Sequence, residues 1–261
     1  MIYMEEPPRE IAVSSGGAQI KIAPQRGGLV TSFSIDNAEI LYLDKATFTD
    51  LTQNVRGGIP LLFPHAGPSK GSLYHLSQHG FVRKMPWNVL GQDRNSITLQ
   101  LLSNDETRKD FPFDFELKLK AAVSANTLNH TFTIVNKGDK PMPTAYGTHP
   151  YFQIPQAEKQ NLTADIEGFN PKEIDWRGRF DQSFTNPGRI HIQMPGKKLT
   201  LESDPDIFKV VRIWHLAGKD FICIEPWTRD SFAIDDPGQC LWVGPREPIN
   251  LTISISAEIS K

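Results

Sequence analysis

From Ile249 to Ser256 apolar and polar residues alternate without a break: Ile249, Leu251, Ile253 and Ile255 against Asn250, Thr252, Ser254 and Ser256. Successive side chains of a strand point to opposite faces, so this pattern predicts a strand with one buried face. Leu117, Leu119, Ala121 and Val123, set against Glu116, Lys118 and Lys120, repeat it, as do Leu128, His130, Phe132 and Ile134 after Ser124-Ala125-Asn126. Those two runs read as a hairpin. Further strands are expected at Ile20–Ile22, Val30–Ile35, Ile97–Leu102, Ile190–Met194, Phe208–Trp214 and Phe221–Ile224. The joints between runs carry turn formers, as in Asn136-Lys137-Gly138-Asp139 and Asp235-Asp236-Pro237-Gly238.

No stretch of about 12 residues keeps a helical period, and 20 prolines with 19 glycines would interrupt most attempts at one. Many short strands without an internal repeat predict an all-β chain built as a large sandwich of antiparallel sheets, not a propeller or solenoid. With 261 residues and no shift of composition, residues 1–261 read as a single domain. A ligand is then expected on the concave face of one sheet or among the loops at its rim.

Lys and Arg number 28 against 30 Asp and Glu, a formal net charge of -2 with no basic run, which argues against nucleic acid as a partner. The start, Met1-Ile2-Tyr3-Met4-Glu5-Glu6-Pro7-Pro8, lacks the basic and apolar parts of a secretory signal, and no apolar run approaches the ~20 residues of a membrane span. A cytoplasmic protein without membrane association is expected, a monomer or a weak homodimer. Cys223 and Cys240 are too few for a disulfide scaffold and lack the paired spacing of zinc or redox motifs. The glycosylation-type triplets at Asn129, Asn161 and Asn250 have no secretory route to make them matter.

Nicotinamide, P-loop, zincin and serine-hydrolase motifs are all missing, so chemistry by side chains alone, without cofactor, is what remains. His79 lies in Gln78-His79-Gly80-Phe81, where the glycine would let a ligand approach the backbone. His65 and His75 read as loop histidines bonded to backbone, and the spacing of the three matches no metal-ligand pattern, so no metal is expected. His149 precedes Pro150, which favours extended backbone; Tyr151 and Phe152 would wall the ring, lowering its pKa while keeping it in the working range of a proton donor. Glu225 interrupts an apolar strand directly before Pro226-Trp227, and burial there would raise its pKa and make it a better base. Asp181, between aromatics, is placed to accept bonds from sugar hydroxyls, and Arg56 to hold an anion or a sugar oxygen. Each has a plainer reading as turn residue or ion-pair partner.

Taken in order, Arg56-Gly57-Gly58-Ile59-Pro60-Leu61-Leu62-Phe63-Pro64, Gln78-His79-Gly80-Phe81-Val82-Arg83 with Trp87, Thr148-His149-Pro150-Tyr151-Phe152, Phe180-Asp181-Gln182-Ser183-Phe184-Thr185 and Glu225-Pro226-Trp227 resemble the aldose 1-epimerase (galactose mutarotase-like) family, in particular its short bacterial branch related to glucose-6-phosphate 1-epimerase. The resemblance implies a β-supersandwich with Glu225 as general base, His149 as general acid and His79 positioning the sugar. It also implies Asp181 on sugar hydroxyls and Arg56 lining the pocket; in the phosphosugar branch arginines near the mouth hold the phosphate, and Arg56 and Arg83 match only the motif-embedded ones. Pro64-His65-Ala66-Gly67-Pro68 replaces the more aromatic segment of that branch. The expected reaction is interconversion of the α and β anomers of a hexose by acid/base ring opening and closure, with Phe81, Tyr151 and Trp227 against the apolar faces of the sugar. Alternatives are a hexose-6-phosphate 1-epimerase, a glycoside hydrolase using Glu225 and Asp181, and a non-catalytic sugar-binding protein.

Overall fold

The computed structural model describes residues 8–260, so the acidic, proline-bearing start read above lies almost wholly outside the described residues. Alternating runs become paired strands wherever one face can be buried. The four strands β1 (Ile11–Ser15), β2 (Ala18–Ala23), β3 (Leu29–Ile35) and β4 (Ala38–Glu39) pair in sequence as a meander. The largest sheet has eight strands in the order β13 (Thr163–Ala164), β15 (Arg189–Met194), β16 (Lys197–Ser203), β20 (Pro248–Ile259), β9 (Thr127–Asn136), β8 (Phe115–Ser124), β7 (Ser96–Leu102) and β6 (Asn88–Gln92). A six-stranded sheet joins β14 (Phe180–Thr185), β17 (Val210–His215), β18 (Phe221–Trp227), β11 (Gly147–Thr148) and β5 (Leu61–Leu62), with β12 (Tyr151–Gln153) also on β18. Strands β10 (Met142–Thr144) and β19 (Leu241–Val243) form a separate pair.

Every strand expected from alternation is present. The expected hairpin is β8–β9, antiparallel and in register from Phe115↔Asn136 to Ser124↔Thr127. The C-terminal run is β20, which pairs with both β9 and β16. Among the described residues helix is confined to α1 (Lys45–Thr49), α2 (Asp105–Asp110) and short 3-10 segments of three to six residues. Asn104 opens α2 with its side chain on the Thr107 N–H and the Thr107 hydroxyl on its own, so the short helix is capped by its sequence. Among the described residues no helix is long and apolar enough to cross a membrane.

Residues of the two larger sheets share one apolar cluster: Leu117, Leu119, Phe132, Leu251 and Ile253 meet Val211, Ile213, Ile222 and Ile224. Fully buried side chains of this kind each contribute about 1.5–3 kcal/mol by leaving water. The six-stranded sheet therefore has one face committed to the core, and its other face carries the polar residues discussed below.

His130 points inward from β9, between Ala121 of β8 and Ile253 of β20. Burial pushes its imidazole down to about 4, because a charged ring has no water there. The folded pKa lies below the unfolded value of 6.5, so the unfolded chain binds the extra proton and stability is lost as pH falls through this window. His130→Leu is expected to remove that share of the acid sensitivity, roughly 3 kcal/mol by pH 4. The measurement is the unfolding midpoint of both proteins between pH 7 and 4; parallel curves would show that His130 carries none of it.

Candidate active site

Strand β18 is buried along its whole length and divides its side chains by parity: Ile222 and Ile224 enter the main core, whereas Phe221, Cys223, Glu225 and Trp227 point to the other face. The register then builds two polar rows across the sheet. Ser183 of β14, Arg212 of β17 and Glu225 lie side by side, and so do Asp181, Trp214 and Cys223. Glu225 does not stand at a strand end, as its position before a proline suggested; the strand runs on to Trp227 between neighbours on both sides.

Pro226 is tolerated there because the ladder on that side is broken. Pairing with β12 ends at Tyr151↔Cys223 and resumes with β11 at Gly147↔Trp227. The intervening triplets, Ile224-Glu225-Pro226 and Thr148-His149-Pro150, do not pair with each other, and each holds a proline with no N–H to satisfy. His149 instead donates its backbone N–H outward to the Pro60 carbonyl at 3.1 Å. The break faces two side chains toward each other: His149 Nε2 lies 3.4 Å from Glu225 Oε1. On its other side Glu225 accepts a 3.2 Å bond from Trp227 Nε1–H.

The ring of His149 is held by aromatics. Tyr151 stacks on it at 4.7 Å and 11°, and Trp214 and His79 meet it edge-on at 5.5 and 5.6 Å. Phe152, expected as part of that wall, faces the opposite side of the sheet and packs in the main core. His79 occupies left-handed backbone with φ 67°, an unfavourable region for a side-chain-bearing residue. A reciprocal pair with Gly67 holds it: the His79 N–H donates to the Gly67 carbonyl at 2.9 Å, and the Gly67 N–H donates to His79 Nδ1 at 3.0 Å. With Nδ1 accepting, the neutral ring carries its proton on Nε2. Gly80, also at positive φ, is dictated by the Phe63 carbonyl, which a Cβ would meet at 2.0 Å. The close approach it permits is therefore to backbone, not to a ligand.

Asp181 accepts from Arg212 Nε at 2.6 Å and from Arg179 Nη2 at 2.5 Å, while Arg212 Nη1 also reaches Ser183 Oγ at 2.9 Å. The Arg212 guanidinium lies 5.5 Å over the Trp227 ring. Arg83 donates to the Gln78 carbonyl at 3.0 Å, and neither it nor Arg56 makes an ion pair among the described residues. These groups enclose a cavity of about 580 Å³, the size range of small-molecule sites.

Arg56, His79, Arg83, His149, Tyr151, Asp181, Glu225 and Trp227, all expected from the sequence, line this one cavity. Phe81 does not: after the turn at His79-Gly80 its ring packs against Phe63 and Phe115 in the core. His65 is buried with Nε2 3.0 Å from the Ser77 carbonyl, and His75 is exposed. Arg179, Arg212 and Trp214 also line the cavity and were not foreseen. The signal for Arg212 was present, since Val211-Arg212-Ile213 sets a cation on the alternate face of an apolar strand.

The sequence profile of the aldose 1-epimerase family matches residues 9–239. The chain belongs to the aldose 1-epimerase family. LacX of Lactococcus lactis subsp. lactis is 23% identical over 258 residues, covering 80% of this chain and 85% of LacX. A proposed glucose-6-phosphate 1-epimerase of Escherichia coli K12 is 26% identical, covering 68% of this chain and 63% of that protein. Among solved structures, the Slr1438 protein of Synechocystis sp. PCC 6803 superposes with a TM-score of 0.90 at 30% identity, over 100% of this chain and 99% of that one. A galactose mutarotase related enzyme of Lactobacillus acidophilus shares the fold, with a TM-score of 0.77 at 20% identity over 96% and 97% of the two chains.

In this epimerase-family cavity burial drives the two facing groups in opposite directions. Desolvation, reinforced by the charge of Asp181, raises the Glu225 carboxyl well above the ordinary carboxylate range, and Trp227 and Arg212 pull back only partly. Desolvation and the charge of Arg83 lower His149 to about 3, further than the proton-donor range expected from its aromatic wall. Desolvation and His149 lower His79 to about 2. Burial thus favours the protonated carboxyl and the neutral imidazole. Trp227→Phe removes a donor that favours the carboxylate, so the Glu225 titration should move to higher pH. Carboxyl carbon shifts of labelled glutamate, with the resonance assigned by its loss in Glu225→Gln, would read this; a shift to lower pH would contradict the role given to Trp227.

Proposed function

We propose that this cavity interconverts the α and β anomers of a hexose, with Glu225 as base, His149 as acid and His79 as a donor that positions the sugar. The observation that supports this most is the 3.4 Å approach of His149 Nε2 to Glu225 Oε1 inside a sugar-sized, polar and aromatic cavity. An anomeric hydroxyl donating to Glu225 and a ring oxygen accepting from His149 Nε2–H would both favour the carboxylate and imidazolium over the neutral pair, so sugar binding itself moves the proton onto the acid.

The carboxylate then takes the anomeric proton as His149 protonates the ring oxygen, and the ring opens to the aldehyde. After rotation about the first carbon-carbon bond, protonated Glu225 and neutral His149 close the ring on the other carbonyl face and return to their starting states. With Nδ1 accepting from the Gly67 N–H, the Nε2–H of His79 is the ring's hydrogen-bond donor. A glycoside hydrolase would need two free carboxylates, but Asp181 is engaged by Arg179 and Arg212.

A phosphorylated hexose is favoured over a free one by a specific feature. Four arginines line the cavity against two acids; Arg179 and Arg212 are engaged by Asp181, while Arg56 and Arg83 make no ion pair among the described residues. Bidentate guanidinium donors suit a phosphate.

Polarimetry of freshly dissolved α-glucose and α-glucose 6-phosphate tests both statements. Catalysed decay is expected to be faster for the phosphate, and Arg83→Ala should raise KM for the phosphosugar more than for glucose. Glu225→Gln should keep the fold and sugar binding while losing about 10²- to 10⁴-fold in rate, the worth of one positioned proton-transfer group. Full activity in that variant would rule out the base.

A further inference from the structure

His149, Cys223 and Glu225 bring an imidazole, a thiol and a carboxyl together so that one ligand atom of each lies within 4.8 Å of the others. The spacing in sequence shows nothing of this. Cys223 and Glu225 are alternate residues of β18 and so project from one face, and Cys223 pairs in register with Tyr151, two residues beyond His149. Zinc bonds of about 2.0–2.3 Å to N, O and S set tetrahedral edges of roughly 3.3–3.8 Å, so the three side chains need to close by about 1.5 Å at most. The thiol lies behind the other two and does not line the cavity, which leaves a fourth position open toward it.

We propose that these three residues form a site for Zn²⁺ or a similarly thiophilic divalent cation, and that the bound ion reversibly inhibits the enzyme. The inhibitory part rests on the acid/base reading given above; the site itself does not. On binding, the Cys223 thiol and the Glu225 carboxyl each give a proton to solvent and an electron pair to the ion, and neutral His149 gives its Nε2 lone pair. Both proton-transfer groups are then occupied. Thiol and imidazole select zinc-class ions over the hard cations Mg²⁺ and Ca²⁺. Cys223 packs beside Phe221 and Tyr151 and takes no part in the proton transfers, so the epimerase does not need it.

Titration with Co²⁺ alone reads the site directly, through the thiolate-to-cobalt charge-transfer band and the intense visible bands of tetrahedral cobalt. Wild-type protein and Cys240→Ala should both give these bands, and Zn²⁺ should displace them. Cys223→Ala should abolish them, keep the wild-type anomerisation rate and need at least tenfold more Zn²⁺ for half inhibition; chelator should restore the wild-type rate. Cys223→Ser, which fills the same volume, checks that any loss does not come from a collapsed core. Absence of the bands in wild-type protein, or equal zinc sensitivity in Cys223→Ala, would overturn the proposal. Bands that depend on Cys223 in a protein without any anomerase activity would leave the site standing and remove the functional reading instead.

Discussion

A carboxyl buried beside an imidazole, at a break in the six-stranded sheet, is the constraint from which the rest of the site follows. Isolated charges at such depth are expensive, so burial favours the uncharged form of each group. The break supplies the room: because the triplets around His149 and Glu225 do not pair with each other, no ladder runs between these two side chains. Arg212 lies directly across from Glu225 in register, yet its guanidinium is bonded to Asp181 and Ser183. Had it formed the ion pair with Glu225, the carboxylate would be held well down in pKa and would be a poor base. Asp181 thus does two things at once: it draws off the arginine, and its own charge pushes the Glu225 pKa upward.

The surroundings make this arrangement rigid. Tyr151, Trp214 and His79 bracket the His149 ring on three sides. Gly147, where a Cβ would come within 2.5 Å of Trp227, lets the indole lie close enough to bond Glu225. The strained backbone of His79 is paid for locally by two hydrogen bonds with Gly67. Each contact is short-range, but the residues come from loops and strands between positions 56 and 227, so the core joining the two larger sheets is what holds the site's geometry.

This division explains what could be read from the chain. Strands such as β8, β9 and β20 are long and half-buried, so alternation reported them faithfully. The carboxylate and both histidines stood out because each is polar in an apolar or Pro/Gly-punctuated setting. What alternation cannot report is where a turn sends a ring: Phe81 follows a left-handed His79-Gly80 pair that swings it into the core. Nor could it show that Phe152 and Tyr151, adjacent in sequence, take opposite faces and leave His149 with one aromatic partner from that segment instead of two. Arg212 escaped notice because a cation in a strand usually means a solvated face, and only the register reveals that its face is the cavity; Arg179 stands in the loop just before β14.

The opposite shifts of Glu225 and His149 also bear on how such a site lowers a barrier. The neutral pair and the carboxylate–imidazolium pair hold the same number of protons, so in the proposed reaction passing from one to the other would need relocation of one proton over a 3.4 Å gap and no exchange with solvent. Each half of the ring-opening cycle likewise conserves the net charge of the cavity. In a medium of low effective dielectric this matters more than the absolute pKa of either group, because creating a net charge is far more costly than separating one over a short distance. In the proposed reaction a low pKa for His149 would be an advantage: its imidazolium would be a strong acid toward the ring oxygen, and the high-pKa carboxylate facing it a strong base toward the anomeric hydroxyl.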